Sequence, residues 1–214
     1  MRPASLALAL SLAFVPVLSH AAATTACAAP GLRLNEILAG PASDWDGSGT
    51  FSSRDDEWVE VVNAGPAALD LASFFLTDGD SIPRYAFSGQ LPPGARTWVT
   101  GRMSYDWERA NGKPAFGLSL GNSGDSVLLW QVASGETLLV DACTYKAHEA
   151  AADRAVGRVP DGTGEWALFD GLSPYTGTLE PRGTGCPPSP LQENLCLVTP
   201  VRATTWGRIK ALWH

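Results

Sequence analysis

The chain has 214 residues and is acidic: 22 Asp and Glu stand against 15 Lys and Arg, for a formal net charge of -7 at neutral pH. With no basic cluster, the sequence is a poor match to a nucleic-acid phosphate backbone, so nucleic acid is excluded as a partner; cation binding fits the charge better.

The first residues, Met1-Arg2 followed by an apolar run from Leu6 to Leu18 and by Ser19-His20-Ala21-Ala22-Ala23, have the three parts of a secretory signal peptide. About 13 apolar residues fall short of the roughly 20 that a spanning helix needs, so residues 1-23 are expected to be removed and the mature chain to be secreted or held in the cell envelope. Cys27 lacks a large aliphatic residue three places before it, which argues against a lipid-modified cysteine. No later run is long enough to span a membrane. Roughly 190 residues remain, enough for one all-β domain with its own core.

Seven strand-like runs follow. Leu32 to Leu38 alternates Leu32, Leu34, Glu36 and Leu38 against Arg33, Asn35 and Ile37. Glu57 to Val62 sets Val59 and Val61 on one face and Trp58, Glu60 and Val62 on the other. Leu69 to Thr77, Arg84 to Phe87, Arg96 to Thr100, Ser126 to Gln131 and Leu138 to Tyr145 complete the set. Asn63-Ala64-Gly65-Pro66, Asp78-Gly79-Asp80, Leu91-Pro92-Pro93-Gly94 and Asn122-Ser123-Gly124-Asp125 supply turns between them. Short strands without a long amphipathic helix predict an all-β sandwich. Lys146 to Ala155 is Ala-rich and suits a helical turn or two, and Gly157 to Trp166 is turn-forming. The domain is expected to span residues 24-180, with a Pro-rich stapled linker over 181-200 and a separate tail over 201-214. In that tail Trp206, Ile209 and Trp213 share one helical face, suited to docking on the sandwich or on a partner.

Four cysteines in an exported chain suggest two disulfides; the preferred pairing is Cys186 with Cys196 and Cys27 with Cys143.

In order along the chain, Leu34-Asn35-Glu36-Ile37, Glu57-Trp58-Val59-Glu60-Val61-Val62-Asn63, Leu69-Asp70-Leu71, Leu91-Pro92-Pro93-Gly94, Leu120 to Val127 and Val140-Asp141 resemble the lamin tail domain in its bacterial, exported form. Gly157-Arg158 with Pro160 to Gly164 and Trp166 matches the segment that closes that domain, so the resemblance covers about residues 32 to 180. It implies an immunoglobulin-like β-sandwich used as a binding or structural module, with no catalytic residues to transfer. The lamin coiled coil is absent, so filament assembly is not implied.

One loop offers chemistry. Asp44-Trp45-Asp46-Gly47-Ser48-Gly49-Thr50-Phe51-Ser52-Ser53-Arg54-Asp55, taken as a twelve-residue calcium loop, puts oxygen side chains at places one, three, five and twelve and glycine at six. Asp44, Asp46, Ser48, the Thr50 carbonyl and Asp55 are the predicted ligands, with Asp56 or Glu57 completing the shell. The pattern resembles a dockerin calcium loop, although Ser48 replaces the usual acid and no helix flanks it. The expected cofactor is one calcium ion held with a Kd of roughly 10⁻⁴ M, as in extracellular modules.

Two rival functions draw on other residues. A small exported hydrolase would pair Glu60 with Glu36 or Asp56 as acid and base, or use His148, but no GxSxG element is present. A carbohydrate-binding module would use Trp45, Tyr105 and Trp107 as a stacking platform. The leading expectation is a non-catalytic module, its partner an unidentified protein or a cell-surface polysaccharide.

Overall fold

The computed structural model describes residues 31-196. The proposed leader, Cys27 and the Trp206 to His214 tail therefore lie outside the described residues. Eleven strands run in chain order as β1 (Leu32–Leu38), β2 (Trp58–Asn63), β3 (Leu69–Asp70), β4 (Phe74–Thr77), β5 (Pro83–Ala86), β6 (Gln90–Leu91), β7 (Arg96–Thr100), β8 (Gly124–Ala133), β9 (Glu136–Lys146), β10 (Ala155–Val159) and β11 (Glu165–Phe169), with one helix, α1 (Gly101–Ala110), after β7. A five-stranded sheet ordered β11-β10-β1-β2-β7 faces a four-stranded sheet ordered β5-β4-β8-β9, and β3 pairs with β6 at the side. Every pairing between these strands is antiparallel, so the expected all-β sandwich is what forms. Among the described residues no helix is long and apolar enough to cross a membrane.

The core lies between the sheets. Leu32, Leu34, Ile37, Val59, Val61, Val99 and Val156 from the first meet Phe74, Leu76, Val127, Leu129, Cys143 and Tyr145 from the second, all buried. Each fully buried aliphatic or aromatic side chain contributes about 1.5–3 kcal/mol of transfer free energy.

Strict alternation fails in β1. Its register on β2 shifts between Leu34 and Glu36, so Asn35 bulges. The shift turns Ile37 into the core with Leu32 and Leu34, while Glu36 and Leu38 go to the outer face opposite Glu60 and Trp58. The two faces expected of β2 are as read. Its outward Trp58 joins Leu38, Ala155 and Phe169 in a second apolar cluster, against which Trp45, Trp98 and the two half-cystines pack.

Five other expectations change. Leu69 to Thr77 is not one strand, because Leu71–Ser73 forms a 3-10 turn capped by the Asp70 carboxylate. The polar segment around Trp107, where no helix is expected, forms α1, whose N-cap Thr100 accepts from the Met103 amide. Its buried residues are Gly101, Ser104 and Glu108, so the inward face carries no apolar signal to read. Lys146 to Ala155 makes turns rather than helix, and Gly157 to Trp166 is largely the β10–β11 hairpin. Finally, residues 181-196 do not bridge as a linker but lie back on the outer face: the Thr184 amide donates to the Leu168 carbonyl and the Asn194 amide to Asp161. Cys186 and Cys196 are joined as expected. Cys143 is buried in the core and has no disulfide among the described residues.

Candidate metal centre

The loop between β1 and β2 is held at both ends. Its entry is fixed by Asp153, whose carboxylate accepts from the Ala42 amide at 2.7 Å, the Ser43 hydroxyl at 2.6 Å and the Trp45 indole at 2.8 Å. Partial burial alone would raise the Asp153 carboxyl, but these donors hold it below the ordinary carboxylate range. The exit of the loop packs on the start of α1, where the Gly101 amide donates to the Glu57 carbonyl and the Arg102 amide to the Asp55 carbonyl. A Cβ on Gly101 would stand 1.7 Å from the Arg54 carbonyl oxygen, so only glycine permits this approach.

Asp56 organises the interior of the loop. The residue is wholly buried; Oδ1 accepts from the Trp45 and Asp46 amides at 2.7 and 2.9 Å, and Oδ2 from the Ser52 amide at 2.7 Å. Asp44 accepts from the Ser48 and Gly49 amides at 3.0 and 2.8 Å, and Asp46 from the Ser48 amide at 2.9 Å. Gly49, the sixth residue of the loop, takes φ +85°, a left-handed turn that suits glycine.

These bonds bring the carboxylates of Asp44, Asp46 and Asp56 together, each offering an oxygen within 4.8 Å of the others. No Lys or Arg among the described residues forms an ion pair with them. Two like charges at that separation repel by roughly 1–3 kcal/mol, depending on how far solvent screens them. Burial is the largest single influence on the Asp46 carboxyl and pushes it up, but hydrogen bonds, those from Ser48 foremost, together outweigh burial and hold its pKa below the ordinary value. Each carboxylate oxygen accepts two hydrogen bonds, so Asp44, Asp46 and Asp56 Oδ2 keep free lone pairs, while Asp56 Oδ1 is already filled by two amides. The donor set is oxygen alone, which suits a hard cation and not zinc or copper.

Of the predicted ligands, Asp44, Asp46 and Asp56 converge. Asp55 is not among them: its amide donates to the Ser52 hydroxyl and the chain carries Asp56 inward instead. Ser48 turns its hydroxyl to the Thr50 carbonyl at 3.1 Å. Sequence reasoning missed Asp153, which stands more than a hundred positions away from the residues it holds and leaves no local signature.

The other candidates are placed apart. Glu36 and Glu60 are directly opposite across β1 and β2, wholly buried, and Asp56 is not with them. His148 directs Nε2 to the Pro181 carbonyl and its ring lies tilted against Tyr175, centroids 4.7 Å apart, with no serine hydroxyl bonded to it among the described residues. Trp45 packs on Trp58, whereas Tyr105 and Trp107 lie on α1; Trp107 leans on Tyr85 and lines a shallow apolar cavity with Phe75 and Val132. The three rings form no single platform. Compared with models of known protein families and with curated protein sequences, the chain matches none of them.

Proposed function

We propose that the chain is a non-catalytic binding or structural module, secreted or held in the cell envelope, whose first long loop is fixed by one calcium ion. The convergence of Asp44, Asp46 and Asp56 with no basic partner among the described residues carries this reading: three close carboxylates call for a cation, and their all-oxygen donor set suits calcium. The bound ion would neutralise the repulsion between the carboxylates and hold the surface at the β1–β2 end of the sandwich in one shape. The lamin tail resemblance supports the module half of the reading. Its motifs fall on β1, on β2, at the β6–β7 turn and around the start of β8, which are the positions that build the core.

A carboxylate-based hydrolase is the weaker reading. Glu36 and Glu60 have the pairing that such a site needs, but they are roofed by Ser189, Leu191 and Asn194 rather than open to a cleft.

The test is calorimetric titration of the mature protein with calcium, beside thermal melting in calcium and in chelator. One saturable event with a matching rise in Tm, both lost in Asp46→Ala, is the expected outcome. No heat and no shift in Tm would reduce the loop to a hydrogen-bonded turn.

A further inference from the structure

The 187-196 segment, closed by the Cys186–Cys196 disulfide, is a strap laid over the outer face of the five-stranded sheet. It is held there by side chains of the sheet. The Ser189 amide donates to Glu36 Oε1 at 3.0 Å, the Leu191 amide donates to Glu60 Oε2, and the Asn194 amide donates to Asp161 at 3.0 Å. Leu191 takes φ +61° to reach Glu60, a strained conformation for a residue with a side chain.

The hydrogen count under the strap does not close with every acid ionised. Asn194 gives its amide nitrogen to the Asn35 and Arg158 carbonyls, which turns its Oδ1 to the Ser189 hydroxyl at 2.9 Å. That hydroxyl also lies 3.1 Å from Glu36 Oε2, yet it has a single proton for two oxygens. One arrangement satisfies both: a proton on Glu36 Oε2 is donated to Ser189 Oγ, whose own proton goes to Asn194 Oδ1. We propose that the strap is a proton-dependent latch, in which neutral Glu36 holds Ser189 against the sheet and loss of its proton releases residues 187-196.

The surroundings favour the neutral acid. Glu36 faces Glu60 from β2, Gly157 from β10, and Ser189 and Asn194 from the strap. Beyond Glu60, β7 brings Trp98 and Arg96, and Arg96 is paired with Asp161 of the β10–β11 turn. The strap's own acid, Glu193, is exposed. No cation among the described residues forms an ion pair with Glu36. Burial pushes the Glu36 carboxyl up to about 8; the Ser189 amide works against that and the Glu60 charge with it. A carboxyl whose folded value is raised stabilises the closed form below its unfolded value, near 4.5, and loses that contribution as pH rises through about 8.

The test is amide hydrogen exchange of the 187-196 segment in the intact, disulfide-bonded protein from about pH 6 to about pH 10, corrected for the intrinsic pH dependence of exchange. In the wild type the open fraction should rise with pH, by up to roughly tenfold per unit, between about pH 6 and about pH 8 and level off above that, once the closed form has lost the proton too. In Glu36→Gln, whose amide donates to Ser189 at every pH, the open fraction should be flat. A flat wild type, or an unchanged slope in Glu36→Gln, overturns the latch; a slope abolished by Glu60→Gln alone places the proton on the wrong acid and overturns it too. If Glu36→Gln does not fold, carbon-13 NMR of glutamate-labelled wild type decides, with Glu57→Gln and Glu60→Gln separating the other two raised glutamates. A Glu36 carboxyl carbon at its neutral position at about pH 6, moving between about pH 7 and about pH 9, is expected; an ionised position at about pH 6 overturns the proposal.

Discussion

Asp56→Asn and Asp46→Ala should separate the two duties of the acidic loop. Asp56 is wholly buried and accepts three amides. An asparagine can keep its oxygen over Trp45 and Asp46, but its NH2 then points at the Ser52 amide, donor against donor. One buried amide left without an acceptor costs about 1–3 kcal/mol, and exchanging a charged acceptor for a neutral one adds about 1 kcal/mol. The variant should lose roughly 2–4 kcal/mol even in chelator, or about 5–12 °C in Tm for a domain of this size. Asp46 is only partly buried, and the single amide it accepts, that of Ser48, is shared with Asp44. Its removal leaves no orphan and relieves repulsion, so Asp46→Ala in chelator should stay within about 0.5 kcal/mol of the parent. Calcium at a hundredfold excess over its Kd stabilises by about 2.7 kcal/mol, which predicts a rise of roughly 5–10 °C in the parent protein and none in Asp46→Ala. Differential scanning fluorimetry of the three proteins, with calcium and with chelator, is sufficient. The reasoning is refuted if Asp46→Ala melts as low as Asp56→Asn in chelator, or if it keeps the calcium shift.

Three further outcomes follow from the packing. Arg84 is buried against Asp78 and Glu108 and also pairs with Asp80, so Arg84→Met should strand two buried carboxylates and cost about 3–5 kcal/mol, read as a drop in the denaturant midpoint at constant slope. Gly101→Ala should cost about 1–3 kcal/mol and weaken calcium binding together, because the new methyl displaces the Arg54 carbonyl and with it the exit of the acidic loop; a Tm within a degree of the parent would show that the contact relaxes freely. In Cys27→Ser, the Cys143 thiol, pushed up to about 12 by burial and by the nearby Glu149 charge, should react with a thiol reagent at about pH 8 only after unfolding; rapid labelling of the folded protein would place it at the surface.

Much of the sandwich is legible because its inner face obeys simple alternation. Val59 and Val61 against Trp58 and Glu60 is a two-residue period, and the structure keeps it. Legibility fails where a polar residue faces inward or a bulge resets the count. The Asn35 bulge is invisible to alternation, because its reason is a remote set of bonds: Asn35 donates to Glu60 at 2.7 Å and accepts from the Gly162 amide at 2.8 Å. Helix α1 buries Ser104 on the Arg84 carbonyl and Glu108 on Arg84, Phe116 and Gly117, so it is held by polar bonds where an apolar stripe would be sought.

The acidic loop was half legible for the same reason. Spacing on a loop fixes which oxygens are near in sequence, and Asp44 and Asp46 were read that way. Which later acid turns inward depends on what the chain meets there. The Asp55 carbonyl is engaged by the Arg102 amide and the Glu57 carbonyl by the Gly101 amide, which pins the backbone on either side and leaves Asp56 pointing back under Trp45. Trp45 then packs on Trp58, and Trp58 on Trp98, each pair with centroids 6.0 Å apart, in the cluster that also receives Cys186 and Cys196. The loop and the strap thus rest on one row of rings. Trp45 holds its place through two bonds that loop order maintains, its amide to Asp56 and its indole to Asp153. Loosening the loop therefore removes one wall of the cluster, and the next ring along, Trp58, is the largest fully buried side chain among the described residues. Tryptophan emission should accordingly shift to longer wavelength in Asp56→Asn and stay unshifted in Asp46→Ala, because only the first change orphans a buried amide, that of Ser52, and so loosens the loop that seats Trp45.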